Sequence, residues 1–216
     1  MGPAGRDAGG DSKPVSPNEA APPAGQLRVV ITFLDMKTKP VRPPPRPHKL
    51  GKDATVAILR VPGISVPFYR YLYDAVGRVW RWHERRRFSD EKLGAILADP
   101  NVDVMVLYAN GEPAGYAELD RRQADEVELA YFGVTPPFIG KGVATLLLRA
   151  ALESAWRENP TRVWVHTCNL DHPRALSFYQ RAGFVPYKQV TKTIPDPGPE
   201  LGLPPLSAPV SGSETA

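Results

Sequence analysis

Residues 132–144 have the sequence Phe-Gly-Val-Thr-Pro-Pro-Phe-Ile-Gly-Lys-Gly-Val-Ala. A predicted strand ends in this stretch, a proline-containing turn follows, and two glycines open a predicted helix. Unpaired backbone N–H groups in such a turn point toward one position, and the helix dipole makes that position electropositive. Because glycine lets the backbone approach an oxyanion closely, the stretch predicts a binding site for a pyrophosphate group.

Two common nucleotide-binding turns do not fit this stretch. A P-loop requires a lysine followed by serine or threonine, but Lys141 is followed by Gly142. A dinucleotide-binding fingerprint requires a third glycine at position 145, and that residue is Thr145. Taken alone, the glycines at 140 and 142 fit a purely structural turn equally well.

The stretch resembles the coenzyme A turn of the GNAT acetyltransferases, which usually has the form Val-x-Pro-x-x-Arg-Gly-x-Gly-Ile-Gly/Ala. A second family motif, Asn-x-x-Ala-x-x-x-Tyr-x-x-x-Gly-Phe, follows about forty residues later, and the similarity covers about residues 53–190. The chain is similar in particular to uncharacterised bacterial members with a Tyr-Phe-Gly-x-x-Pro-x-Phe-Ile-Gly turn. Ile139 replaces the usual Arg or Gln, and His172 replaces the usual Asn. The matching residues are Val134, Pro136, Gly140, Gly142, Val143, Ala144, Ala175, Tyr179, Gly183 and Phe184.

Hydrophobic periodicity and turn residues predict the order of the secondary structure elements. Early hairpins and late crossovers predict an α/β protein with a mixed sheet and helices on both faces. The resemblance implies the GNAT acyl-CoA N-acyltransferase fold, a central mixed sheet of six to seven strands flanked by about four helices. We expect strands over 27–36, 54–61, 102–108, 114–119, 127–134, 162–167 and 185–193, and helices over 67–82, 89–98, 141–157 and 172–182, with Ser89 as an N-cap.

Proline is unevenly distributed along the 216 residues. Of the 25 prolines, ten lie in residues 1–50 and six in 195–216, so the folded domain is expected between them. We expect a disordered segment over 1–25, an N-terminal strand and Pro-rich linker over 26–52, the GNAT domain over 53–194 and a disordered Pro-rich tail over 195–216.

The cysteine content, the apolar stretches and the net charge indicate the cellular compartment of the protein. Cys168 is the only cysteine, so no intrachain disulfide can form, which fits a reducing cytoplasm. No stretch approaches the roughly 18 apolar residues needed to span a bilayer, and residues 1–26 lack the apolar core of a signal peptide. The net charge of +4 does not by itself indicate nucleic acid binding. A cytoplasmic protein without membrane contact is therefore predicted.

Acetyl transfer to an amine requires a neutral amine, donors for the developing oxyanion and an acid for the leaving thiolate. The resemblance implies that Glu128 is a general base acting through water and that Tyr179 is the general acid. An acceptor anchor and an ordinary sheet carboxylate remain alternatives for Glu128, and a packed aromatic ring remains one for Tyr179. A strand period of two would place residues 126, 128, 130, 132 and 134 on one face.

The resemblance also implies acetyl-CoA as co-substrate and no metal cofactor. His166, Cys168 and His172 match no zinc-binding spacing. For His172, capping of the following helix is an alternative to a contact with the pantetheine arm. The residues expected to contact the coenzyme are Phe132, Val134, Ile139, Gly140, Lys141, Gly142, Val143, Ala144, Asn169 and His172.

The basic and aromatic run over residues 77–88 is the candidate acceptor side. The resemblance implies that this region lines the acceptor pocket. We expect Trp80 and Trp82, with Tyr71 and Tyr73, to wall it, an arginine such as Arg85 to hold an acceptor carboxylate, and Glu126 to contact the acceptor. A solvated charge run with aromatic core anchors and a nucleic-acid contact are the alternatives.

The predicted function is an N-acetyltransferase that moves acetyl from acetyl-CoA to a primary amine of a small molecule, an amino acid or a protein. Its partners are then acetyl-CoA and the amine, with a homodimer left open. One alternative is a degenerate GNAT domain that binds acyl-CoA as a sensor without catalysis. Another is a basic protein that binds nucleic acid through residues 78–87.

Overall fold

A computed structural model describes residues 21–41, 48–204 and 206. The described residues form one sheet of seven strands and four α-helices. The strands are β1 (Gln26–Met36), β2 (Val56–Arg60), β3 (Val102–Ala109), β4 (Glu112–Asp120), β5 (Glu126–Val134), β6 (Arg162–Cys168) and β7 (Val185–Pro195). The helices are α1 (Val66–Gly77), α2 (Asp90–Leu97), α3 (Val143–Ala155) and α4 (Ala175–Arg181).

The sheet order is β2-β3-β4-β5-β6-β1-β7. Neighbouring strands are antiparallel except for β5 and β6, which are parallel and joined through α3. The first strand of the chain is an interior strand of the sheet, because β1 pairs with β6 on one side and β7 on the other. The predicted mixed sheet of six to seven strands with helices on both faces is confirmed.

Two hydrophobic cores cover opposite faces of this sheet. Alternate strand residues point to opposite faces, and neighbouring residues of β3 belong to different cores. Leu107 packs with α3 and α4, whereas Val106 packs with α1 and α2. The predicted N-cap of α2 is also present, since the Ser89 hydroxyl accepts a hydrogen bond from the backbone N–H of Lys92 at 3.3 Å. No helix in the described part of the chain is long and apolar enough to cross a membrane.

A bulge in β5 changes the face to which its side chains point. Glu118 pairs with Tyr131 and Leu119 with Leu129, so Ala130 is an extra residue on β5. Ala130 and Tyr131 both pack on the α1–α2 side, and Phe132 joins the core on the α3–α4 side. The prediction that residues 126 to 134 alternate regularly is therefore wrong beyond residue 130, because a bulge inserts one residue into the alternation.

The predicted disordered tail is wrong for residues 196–204. Pro199–Leu201 forms a 3-10 turn, and Leu201 is only 2% exposed. The side chain of Asp196 pairs with Arg81 at 2.7 Å. Proline and glycine prevent regular structure there but do not prevent packing through one apolar side chain and an ion pair. Residues 1–20 and 207–216, for which disorder was also predicted, lie outside the described residues.

Candidate active site

A cleft begins where β5 and β6 stop pairing. The last register pair between them is Glu128 with Trp164, although β5 continues to Val134 and β6 to Cys168. The bulge at Ala130 lies just beyond that last pair and bends β5. The two facing strand edges therefore carry backbone groups without a partner across the cleft, which makes them available to a ligand.

Glu128 and His166 lie on the α1–α2 side at the base of this cleft. Their neighbours Val127, Leu129 and Val165 all pack on the opposite side. The imidazole Nδ1 lies 3.3 Å from the Glu128 carboxylate, but the two groups are not aligned as a hydrogen bond. Both side chains are less than a tenth exposed. The carboxylate predicted as a base therefore has a basic neighbour in contact with it.

Tyr179 lies on the other side of the diverging strand. Its ring packs edge-on against Phe132, with ring centroids 6.1 Å apart, and against Phe184 at 5.8 Å. Burial raises the pKa of the Tyr179 phenol well above its usual value, and the nearby Asp171 carboxylate raises it further. The phenol therefore stays protonated at neutral pH, as an acid requires. The structure places Glu128 and Tyr179 on opposite faces of β5, on either side of the cleft.

The turn after β5 presents the N-terminus of α3. Gly142 precedes the helix with a φ of 86°, and no side chain caps the first turn. Among the described residues, the backbone N–H groups of Val143 and Ala144 therefore have neither a backbone partner nor a side-chain cap, whereas the Thr145 N–H donates to the Gly142 carbonyl at 3.2 Å. Gly140 also has a positive φ, of 78°, with open space where a side chain would be. Ile139, which replaces the usual arginine, is 36% exposed beside them.

Asn169 and His172, two further residues predicted to contact the coenzyme, have local partners. The Asn169 carboxamide accepts from the Val30 N–H at 2.8 Å and donates to the Arg28 carbonyl at 3.0 Å, so it extends the pairing of β1 with β6. His172 Nδ1 accepts from the Arg174 N–H at 3.0 Å. The His172 bond lies in the turn before α4 and does not cap an N–H group of the helix itself, and the Asn169 bonds continue the sheet, so both side chains have structural contacts.

The predicted acceptor residues are dispersed. The Glu126 carboxylate accepts from Arg162 at 2.8 Å, at the fully paired end of β5. Trp80 packs edge-on against His172 with centroids 5.3 Å apart. The Trp82 indole is buried and donates to Asp171 Oδ1 at 3.2 Å. The two tryptophans thus bring the 78–88 segment against the loop before α4.

Arg85 differs from the prediction because its side chain is 1% exposed and pairs with Glu118, which is fully buried. The Tyr69 hydroxyl also donates to Glu118. Burial raises the pKa of the Glu118 carboxyl, although the adjacent Arg85 guanidinium opposes that shift. Sequence analysis missed Glu118, whose only local signal is a carboxylate at an inward position of a strand.

A cavity of about 200 Å³ lies above this ion pair, between α1 and the 84–88 turn. Nε and Nη1 of Arg85 have no hydrogen-bond partner among the described residues. No residue of β5, β6 or α4 lines the cavity, so it is separate from the cleft. Its lining residues are Tyr69, Arg70, Tyr73, Arg85 and Arg86.

Every arginine of the basic run has an acidic partner. Arg78 and Arg86 pair with Asp74, Arg85 with Glu118, Arg81 with Asp196, and Arg87 with Glu200. Most of these partners are far from the run in sequence. The positive charge that the sequence displays over 78–87 is therefore largely compensated in the fold, which argues against a nucleic-acid surface there.

The environment of Cys168, the single cysteine, disfavours the nucleophilic form of its thiol. Burial raises the pKa of the Cys168 thiol to about 12, and the Asp171 carboxylate adds to the shift. The thiolate, which is the nucleophilic form, is therefore scarce at neutral pH. Within the described ranges, no three His, Cys, Asp or Glu side chains are grouped so that they could hold a metal ion.

A family model and several proteins with a similar sequence connect this chain to the N-acetyltransferases. A family model described as "Acetyltransferase (GNAT) family" matches residues 68–184. An uncharacterised N-acetyltransferase of Mycobacterium tuberculosis is 31% identical over 96 residues, which are 44% of this chain and 61% of that protein. The chain thus spans about three fifths of the length of this relative.

Two further proteins are similar over more of the chain. N-alpha-acetyltransferase 30 of Schizosaccharomyces pombe is 23% identical over 147 residues, which cover 68% of this chain and 85% of that protein. The solved GCN5-related N-acetyltransferase from Sphaerobacter thermophilus matches with a TM-score of 0.56 at 19% identity, over 78% of this chain and 52% of that one. The family model covers more than half of the chain, and its match ends at Phe184, beside Tyr179 and the cleft. This chain therefore belongs to the GNAT acetyltransferase family.

Proposed function

We propose that this protein is an N-acetyltransferase that moves acetyl from acetyl-CoA to a primary amine in a ternary complex. The observation that carries the proposal is the cleft between β5 and β6, with Glu128 on one face and Tyr179 on the other. The uncapped N-terminus of α3 follows β5 after the turn over residues 135–142. The pyrophosphate of the coenzyme fits those backbone donors, and the thioester then lies in the cleft.

The chemistry follows from this placement. The amine nitrogen attacks the thioester carbonyl, and unpaired β5 backbone N–H groups beyond the bulge stabilise the oxyanion. The carbon–sulfur bond then breaks, and the Tyr179 phenol gives its proton to the departing sulfur. Glu128 accepts a proton from the amine through water. The high pKa of the Cys168 thiol favours direct transfer over a covalent thioester on the enzyme.

An amine panel assayed by thiol release from acetyl-CoA tests the proposal. The similarity to an N-alpha-acetyltransferase makes peptides with a free α-amine the first acceptors to compare. Peptides with a blocked terminus and a free lysine, and small amines, complete the panel. We expect amine-dependent thiol release with at least one class. Stable acetyl-CoA binding without transfer to any member would contradict the proposal and favour the sensor alternative.

The coenzyme site is tested by Gly142→Ala. An added β-carbon strains a residue with φ 86° and occupies the space where phosphate meets the backbone. We expect the Kd for acetyl-CoA to rise by about tenfold, a cost of roughly 1.4 kcal/mol. The measurement is calorimetry or the thermal shift produced by the coenzyme.

The matched control for this substitution is Gly111→Ala in the β3–β4 hairpin, which has the same φ of 86° and open surroundings. It reproduces the backbone strain away from the coenzyme turn. Equal Kd values for the two variants would show that the turn at 140–144 does not hold the coenzyme.

The role of Glu128 is tested by Glu128→Gln, which keeps the shape of the side chain and removes the basic carboxylate. If Glu128 is a base, its loss should lower kcat by about tenfold or more, with the largest effect at low pH, where few amines are neutral. Amines of lower pKa should be affected less. If Glu128 only anchors the acceptor, the variant instead raises the acceptor KM and leaves kcat unchanged, so a pH series of kcat and KM separates the two roles.

A further inference from the structure

The C-terminal strap, residues 196–204, packs against the acceptor-side segment, residues 78–88. Leu201 is buried, and its carbonyl accepts from Arg78 at 3.3 Å. Glu200 pairs with Arg87 at the surface at 2.7 Å. The contacts join two stretches more than a hundred residues apart, neither of which belongs to the sheet.

Arg81 is the central contact of this interface. Its guanidinium donates to Asp196 Oδ1 at 2.7 Å and to the Pro204 carbonyl at 2.6 Å. The side chains of Arg81 and Asp196 are each only 6% exposed. Arg81 also has a left-handed backbone, with φ 60° and ψ 30°. That conformation is uncommon for a residue with a β-carbon, so surrounding contacts must maintain it.

Trp82, the residue after Arg81, connects this interface to the cleft. The ring of Trp82 lies directly on Gly77, where an added β-carbon would be 2.3 Å from the ring. Its indole N–H donates to Asp171 Oδ1, and Asp171 Oδ2 accepts from the Thr167 hydroxyl and the Cys168 N–H at 2.9 Å each. Asp171 thus joins the acceptor-side segment to the end of β6, near Tyr179.

We propose that Asp196 is a positioning residue for the acceptor side of the site, acting through Arg81 on the placement of Trp80 and Trp82. The expected change in acceptor KM rests on the proposed acetyl transfer, whereas the expected ordering of residues 78–88 by Asp196 does not. The strap is then a functional part of the domain, and a chain that ends at residue 195 binds acetyl-CoA but holds its amine acceptor poorly. Asp196 touches neither substrate.

The kinetic test compares Asp196→Asn with Glu200→Gln as a matched control in the same strap. Asp196→Asn leaves the buried Arg81 without its counter-charge, whereas Glu200 is exposed. We expect the acceptor KM to rise by about tenfold in Asp196→Asn, with the KM for acetyl-CoA changed by less than about twofold. Glu200→Gln should resemble the wild type. An equal rise in both KM values, or none in either, overturns the proposal.

Two further variants show whether the effect passes through Arg81. In the double variant Arg81→Gln/Asp196→Asn the buried charge is removed, so its effect should be no larger than that of Asp196→Asn alone. A chain ending at Leu206 should match the full chain, and a chain ending at Pro195 should match Asp196→Asn. Additive effects in the double variant would show that Asp196 acts by another route.

Hydrogen exchange separates failure of this inference from failure of the proposed activity, because it needs no turnover. We expect backbone exchange over residues 78–88 to accelerate by about tenfold in Asp196→Asn, with exchange in α3 unchanged. This result would support the positioning role even if no amine is acetylated. Unchanged exchange over residues 78–88 would refute it even if the wild type is an active acetyltransferase.

Discussion

Arg85→Met is expected to lower the free energy of unfolding by about 3–5 kcal/mol at neutral pH. The substitution leaves the Glu118 carboxylate in the core without its counter-charge, since Glu118 is fully buried and Arg85 is 1% exposed. The bond from the Tyr69 hydroxyl remains but supplies no positive charge. Urea denaturation measures the change. Arg87→Met is the control, because Arg87 pairs with Glu200 at the surface and its loss should matter little.

The pH dependence of the Arg85→Met variant follows from the direction of the Glu118 shift. Burial raises the pKa of Glu118 in the folded state, and the Arg85 guanidinium opposes that rise, so its removal leaves the folded-state pKa of the variant further above the unfolded value than in the wild type. Folding then favours the protonated carboxyl, so this contribution to stability is present below the unfolded pKa and lost as pH rises through the folded pKa. The stability deficit of Arg85→Met should therefore shrink as the pH is lowered toward the usual range of a carboxyl group.

The reverse substitution gives a different profile. Glu118→Gln removes the titrating carboxyl and leaves the Arg85 guanidinium charged over the whole accessible range, so the stability of this variant should lack the pH-dependent contribution of Glu118. A deficit that is the same at all pH values for Arg85→Met, or a loss below about 1 kcal/mol for both variants, would show that the pair is hydrated or compensated elsewhere.

Tyr179→Phe is expected to lower kcat by about 100-fold, within the range typical of a positioned acid. The substitution removes only the hydroxyl and keeps the ring contacts with Phe132 and Phe184. The KM for acetyl-CoA should change little. Because burial, together with Asp171, raises the pKa of the phenol, the acid is protonated throughout the neutral range and the fold-loss in kcat should not vary with pH.

The control for Tyr179 is Tyr187→Phe on β7, which removes the same hydroxyl from a residue that is 45% exposed. Steady-state thiol release gives kcat and both KM values for the two variants. Wild-type turnover in Tyr179→Phe would show that transfer depends on proximity and on oxyanion stabilisation, without an acid from this residue.

The order of the helices and strands, the class of fold and the glycine-containing turn at 140–142 could be predicted from the sequence. Strand β6 was predicted over 162–167 and spans Arg162–Cys168, and the cap at Ser89 forms as expected. The positive φ values of Gly140 and Gly142 agree with the turn that their positions predict. Periodicity, capping and turn preference are local properties, so a few neighbouring residues are enough to specify them.

Contacts between segments that are distant in sequence could not be predicted and are seen in the folded chain alone. The bulge at Ala130 depends on the register of β5 against β4, and it changed the face on which Phe132 lies. The basic run gave no sign of its acidic partners, because Arg85 lies 33 residues from Glu118 and Arg81 lies 115 residues from Asp196. A buried charge is stable only beside a counter-charge that packing brings to it. The partner is therefore selected by the fold as a whole, which is why a segment that the sequence predicted to be a disordered tail became part of the domain.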